Sequence, residues 1–149
     1  MRITVKSDTL SLLRECESGA KTAVSAINEV VGRVNDEKLR ECLRESRDEH
    51  ARCERRCGEI MSAYDENSSP SVMPAISKSM SWLKTNFTLD VKPGDKTVAA
   101  LMTDGCDMGI KSLSSYLNEF EDADREVKSI ARRMLDDEKH LHEVLEGYL

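Results

Sequence analysis

Apolar residues recur along this chain at the spacing of three and four that marks one face of a helix, and the pattern is cleanest between Asp36 and Tyr64. There Leu39, Leu43, Ser46, His50, Cys53, Cys57, Ile60 and Tyr64 share one stripe. The stripe begins and ends apolar but carries a hydroxyl and an imidazole at its middle. That is the level at which helical bundles hold a metal or cofactor when they have one.

The rest of the chain reads as helices built around that element. Ser7, Asp8 and Thr9 look like capping residues ahead of Leu10, and Leu13, Cys16, Ala20, Ala23, Ile27, Val30 or Val31, and Val34 predict a first helix. Asn35 and Asp36 end it and cap the second, and so short a link makes the two antiparallel. After Tyr64 the run from Asp65 to Pro70 is a loop. A short helix opened by Pro74 follows, with Ile76, Met80, Leu83 and Phe87 on one side and Trp82 beside them. Lys92-Pro93-Gly94-Asp95 reads as a turn with Asp95 as a cap. The third long helix then shows Val98, Leu101, Gly105, Met108, Leu113, Tyr116 or Leu117, and Phe120. Glu121 to Asp124 makes a tight corner before a last helix marked by Val127, Ile130, Met134, Glu138, Leu141, Leu145 and Tyr148. The expected seam contains Leu13, Ala20, Ile27, Leu43, His50, Cys57, Met108, Tyr116, Met134 and Leu145.

Composition narrows the class. A chain of 149 residues with 34% charged and 4% aromatic residues, and few Gly or Pro, favours one all-α domain over residues 1–149. A net charge of -6 argues against nucleic acid as a partner. Arg44, Arg47, Arg52, Arg55 and Arg56 do cluster, but Glu41, Glu45, Asp48, Glu49 and Glu54 interleave with them, as on a solvated face laced with ion pairs. Lys and Asp interrupt the first ten residues where a secretory segment needs an apolar run, and no stretch reaches the ~18 apolar residues of a membrane span. Five cysteines, mostly at helical positions, suit reduced thiols in a cytoplasm.

Two hairpins joined by a long connection make the second and third helices parallel, the one-crossover path of ferritin-like bundles. The chain resembles, over essentially its whole length, a group of small bacterial ferritin-like proteins classed as a domain of unknown function. The residues that carry the resemblance are Leu12-Leu13 through Gly19-Ala20, Asp36-Glu37 with Leu39 and His50, Met80-Ser81-Trp82, Gly109-Ile110, and the run from His140 to Leu149. The resemblance implies an all-α, ferritin-like four-helix bundle with a short fifth helix in its crossover, whose metal site is present, altered or lost.

A di-iron site of that kind takes a carboxylate from each of two helices and a Glu-x-x-His pair from each of the other two. None of the three histidines has Glu three residues before it: Arg47 precedes His50, Asp137 precedes His140 and Lys139 precedes His142. The nearest ligand set is Glu17, His50, Asp104 or Asp107, and Asp137 with His140, for iron, manganese or zinc. A guanidinium in place of a bridging carboxylate would repel a metal and could replace its charge. His140 falls off the apolar seam and reads as a surface residue. A second constellation, Cys53 and Cys57 beside His50 with Cys16 from the neighbouring helix, could form a thiol cluster. For a buried His50 without metal, the candidate partners are Glu17 and Glu138. The expectation is an association module with a degenerate metal site, forming a homodimer through Trp82 and Leu83 and having no cofactor. The alternative is a metal-dependent oxidoreductase.

Overall fold

A computed structural model of the chain describes residues 2–64 and 94–149, with side chains from residue 5 onward. The short helix expected after Pro74, with Trp82 and Leu83, lies outside the described residues. Four long helices account for nearly all of the rest: α1 (Arg2–Val30), extended by a 3-10 turn (Val31–Arg33), α2 (Glu37–Tyr64), α3 (Asp95–Glu119) and α4 (Arg125–Glu146). No strand occurs among the described residues, and no helix there is long and apolar enough to cross a membrane.

The ends of the helices are tied by side chains that cross from one hairpin to the other. At one end Asp36 accepts the Leu39 N–H at 2.9 Å, capping α2, and also the Tyr148 hydroxyl at 2.7 Å. Both donors hold the Asp36 carboxyl below the usual carboxylate range. Asp95 does not cap its own helix, which has Gly94 at the capping position. Its two carboxylate oxygens instead accept the N–H groups of Asn35 and Asp36, at 2.7 and 2.9 Å. At the opposite end Asp8 and Thr9 accept the N–H groups of Asp122 and Asp124, at 3.1 and 2.9 Å, while the Tyr64 hydroxyl donates to Asp124. The expectation that Ser7, Asp8 and Thr9 cap α1 is thus corrected. The helix already runs through them, and Asp8 and Thr9 instead satisfy free N–H groups of the α3–α4 corner.

These ties set the chain path. The α1–α2 corner meets the start of α3 and the end of α4, so α2 and α3 run parallel and each hairpin is antiparallel. Contact is most extensive within the hairpins and between α2 and α4, and α1 touches α3 only lightly. The buried apolar residues fall into two groups. One gathers Ile27, Val30, Leu39, Leu43, Val98 and Leu145 towards the Asp36 end, and the other Leu12, Leu13, Cys16, Cys57, Val127 and Met134 towards the Asp124 end.

The expected seam holds except in α3. Met108 is 48% exposed, and the buried positions there are Val98, Ala99, Leu101, Met102, Thr103, Cys106 and Leu113. The inward face of α3 passes through Met102 and Cys106, which leaves Met108 on the side turned towards α1, where contact is slight.

Candidate functional site

Between the two apolar groups lies a layer of buried polar side chains. Ser46 and His50 sit one turn apart on the inward stripe of α2, which puts both side chains at the same face of the helix, 3% and 1% exposed. Asp137 and Glu138 are consecutive on α4, and such neighbours diverge by roughly 100° around a helix. That divergence lets them take the imidazole from its two sides. His50 Nδ1 lies 3.2 Å from Asp137 Oδ2, and Nε2 lies 2.9 Å from Glu138 Oε1. The second contact is short but off the direction of the ring N–H, so it acts as a charge pair more than as an aligned hydrogen bond. Ser46 completes the layer by donating its hydroxyl to Asp137 Oδ2 at 2.8 Å.

The protonation of His50 follows from these partners. The Ser46 carbonyl oxygen lies 2.8 Å from Nδ1, and a carbonyl can only accept, so Nδ1 carries a proton in either charge state. The titrating atom is Nε2, facing Glu138. Burial opposes a charge on the ring, but the close Glu138 carboxylate, the charge of Asp137 and the Ser46 carbonyl outweigh it, and the imidazole is pushed up to about 9. Asp137 is raised in its turn, first by its own burial, then by the neighbouring Glu138 and Glu49, against the pull of His50 and Ser46.

The other sequence-predicted residues are placed differently. Glu17 faces α2 near Gly58 and pairs with Lys21 at 3.4 Å. Asp104 and His140 are exposed. Asp107 is also exposed and pairs at 3.0 Å with His142, whose other ring nitrogen meets Glu146 at 2.8 Å. Of the six, only His50 and Asp137 come together, and no three His, Cys, Asp or Glu side chains among the described residues are disposed to hold a metal ion. The two expected partners of His50 separate cleanly: Glu138 is one, and Glu17 is not.

The thiols also divide. All five cysteines are free. Cys57 pairs with Cys16, and this hydrogen bond together with burial pushes the Cys57 thiol well above its ordinary value. Cys53 is pushed up to about 12 by burial and by Glu49. Cys106 is raised by burial and by the adjacent Glu138. Each of these three stays a neutral thiol near pH 7, whereas a nucleophile or zinc ligand needs the thiolate.

The sequence reading gave no site role to Cys106 or Gly109, both on α3 against Glu138. A Cβ at Gly109 would lie 3.0 Å from Glu138 Oε2, so the absence of a side chain there makes room for the carboxylate. The signal was present in Gly105 and Gly109, two glycines one turn apart in a helix, where glycine is otherwise unfavourable. Beside them, between α1 and α3, opens a cavity of about 320 Å³ lined by residues of all four helices, His50 and Glu138 among them.

Set against protein-family models, curated proteins and solved structures, the chain matches none. Its class therefore rests on its own geometry. Among the described residues it is an all-α protein of four long helices with a charged layer at mid-height.

Proposed function

We propose that this chain is a ferritin-like helical module that acts by binding and association, and that an ion-paired histidine takes the place a metal would have at its centre. The observation that carries the reading is that His50 has an α4 carboxylate within 3.2 Å of each ring nitrogen. A doubly protonated imidazolium has no lone pair to give a metal and cannot accept a proton from a substrate. The chain path, with α2 and α3 parallel and joined by a long connection, supports the ferritin-like assignment.

The residues present do not fit a di-iron centre. The sequence has no Glu-x-x-His pair, Arg47 stands where one such glutamate would be, and Asp104, Asp107 and His140 point to solvent. Free thiols at every cysteine position suit the cytoplasmic location in this reading.

Metal analysis of protein expressed with iron, manganese and zinc in the medium tests the first half of the proposal. Metal well below stoichiometry is expected, together with thermal unfolding that a chelator leaves unchanged. A stoichiometric, tightly held metal would overturn it in favour of the oxidoreductase. Sedimentation equilibrium tests the second half. A concentration-dependent dimer mass is expected, and a monomer at all concentrations would remove homodimerisation from the reading.

A further inference from the structure

The cavity between α1 and α3 has polar groups that the fold itself leaves unused. Its volume, about 320 Å³, is in the range of small-ligand pockets. Ser18 lines it from α1 and is 4% exposed, yet its hydroxyl has no hydrogen-bond partner among the described residues. A buried hydroxyl without a partner carries the full cost of its lost hydration. At the other side of the cavity Glu138 keeps one oxygen on His50, while Oε2 is turned to the open side of Gly109.

The charges on the wall give the sign of the missing group. Among the described residues its carboxylate and imidazole side chains are Glu15, His50 and Glu138. His50 already shares its single positive charge between Glu138 and Asp137, so the layer holds one more carboxylate than it neutralises, and Glu15 adds another. Among the described residues no Lys or Arg lines the cavity to offset them. The remaining wall is largely apolar, with Met102 and Met134 deep within it and Met108 half-exposed at its edge. Methionines of this kind adapt to the shape of an apolar body.

We propose that this cavity binds a small primary amine with an apolar body, its ammonium received by the Ser18 hydroxyl and Glu138 Oε2, and its hydrocarbon lying between α1 and α3. The inference deepens the binding reading by naming a ligand class, and it is independent of whether the chain dimerises. An ammonium offers three donors and no acceptor, which matches an unpartnered hydroxyl and a carboxylate oxygen turned away from His50.

The test uses the whole chain and three probes of nearly equal shape: 2-phenylethylammonium, 2-phenylethanol and 3-phenylpropanoate, titrated at pH 7 by calorimetry and by amide chemical shifts. The amine is expected to bind at least about tenfold more tightly than the alcohol, as for a charge-assisted hydrogen bond, with shifts centred on residues 15–19 and 105–109. Ser18→Ala should weaken the amine about fivefold and leave the alcohol unchanged. Equal binding of amine and alcohol would reduce the site to an apolar hole and overturn the proposal. Preference for the carboxylate, absence of binding by all three, or shifts elsewhere would overturn it as well. Because metal content and sedimentation do not depend on these probes, such a failure would be separate from failure of the function proposed above.

Discussion

His50 and the Cys16–Cys57 pair lie on the same inward stripe, two turns apart along α2, and the fold treats them in opposite ways. His50 is charged and held between two carboxylates. The Cys57 thiol is kept neutral by its contact with Cys16 and by burial among apolar side chains. What separates them is the helix opposite. α4 presents Asp137 and Glu138 at the level of His50, but Val127, Ala131 and Met134 towards the end where the thiols lie. A stripe on one helix thus determines which side chains are buried, and the facing helix determines whether they are charged.

The largest expected effect removes the counter-charge. Glu138→Leu should lower stability by about 3–5 kcal/mol, as for a buried pair with one partner deleted, read from the denaturant midpoint at unchanged slope. Loss of less than about 1 kcal/mol would mean that His50 is neutral in the native protein. Next comes the dependence on pH. A histidine raised from 6.5 to about 9 contributes stability that is fully present below the unfolded value and is lost as pH rises through the folded one. Native stability should therefore fall by up to about 3 kcal/mol between pH 6.5 and 9. His50→Leu, costing about 1–3 kcal/mol at pH 6, should abolish the part of that fall below pH 8. Above about pH 8.5 the unfolded thiols ionise while the raised Cys53, Cys57 and Cys106 do not, so a further loss should persist in the variant.

The thiol side of the comparison predicts smaller changes. Cys57→Ala should cost about 1 kcal/mol, the price of a small cavity, and that cost should be flat between about pH 5 and 8. A pH-dependent cost would show that the thiols share the charge of the His50 layer. Two glycines give the finest contrast. Alanine at Gly19 would meet only the Met134 methyl group at 3.8 Å, so Gly19→Ala should gain about 0.5 kcal/mol from helix propensity. Alanine at Gly109 would press on Glu138 Oε2, so Gly109→Ala should forfeit that gain and move the titration of His50.

The sequence shows the helices and the inward stripe of α2 because both depend on local periodicity, and Ser46, His50, Cys53 and Cys57 lie where that periodicity puts them. It also shows that the di-iron ligand pattern is broken, and it offers Glu138 as a partner of His50. Three things depend on contacts distant in the chain, and the local pattern is silent on them. Asp8, Thr9 and Asp95 look like caps of the helices they begin, but they serve the opposite hairpin, because only folding reveals which N–H groups lack partners. The face of α3 is ambiguous because Gly105 and Gly109 remove the side chains that would define its phase. The alignment of Cys16 with Cys57, in place of Cys53, depends on the relative stagger of α1 and α2, and counting residues from a corner does not resolve it to one turn.

At the centre of the molecule His50 is an imidazolium held between Asp137 and Glu138. Protein labelled with nitrogen-15 at its histidine rings, titrated by NMR from pH 5 to 10 with and without chelator, measures this directly. Both ring nitrogens of one histidine should carry protons at pH 7, Nε2 alone should lose its proton, with a midpoint near 9, and chelator should change nothing. A His50 ring that is already neutral at pH 7, or whose shifts move when metal is withdrawn, would contradict it.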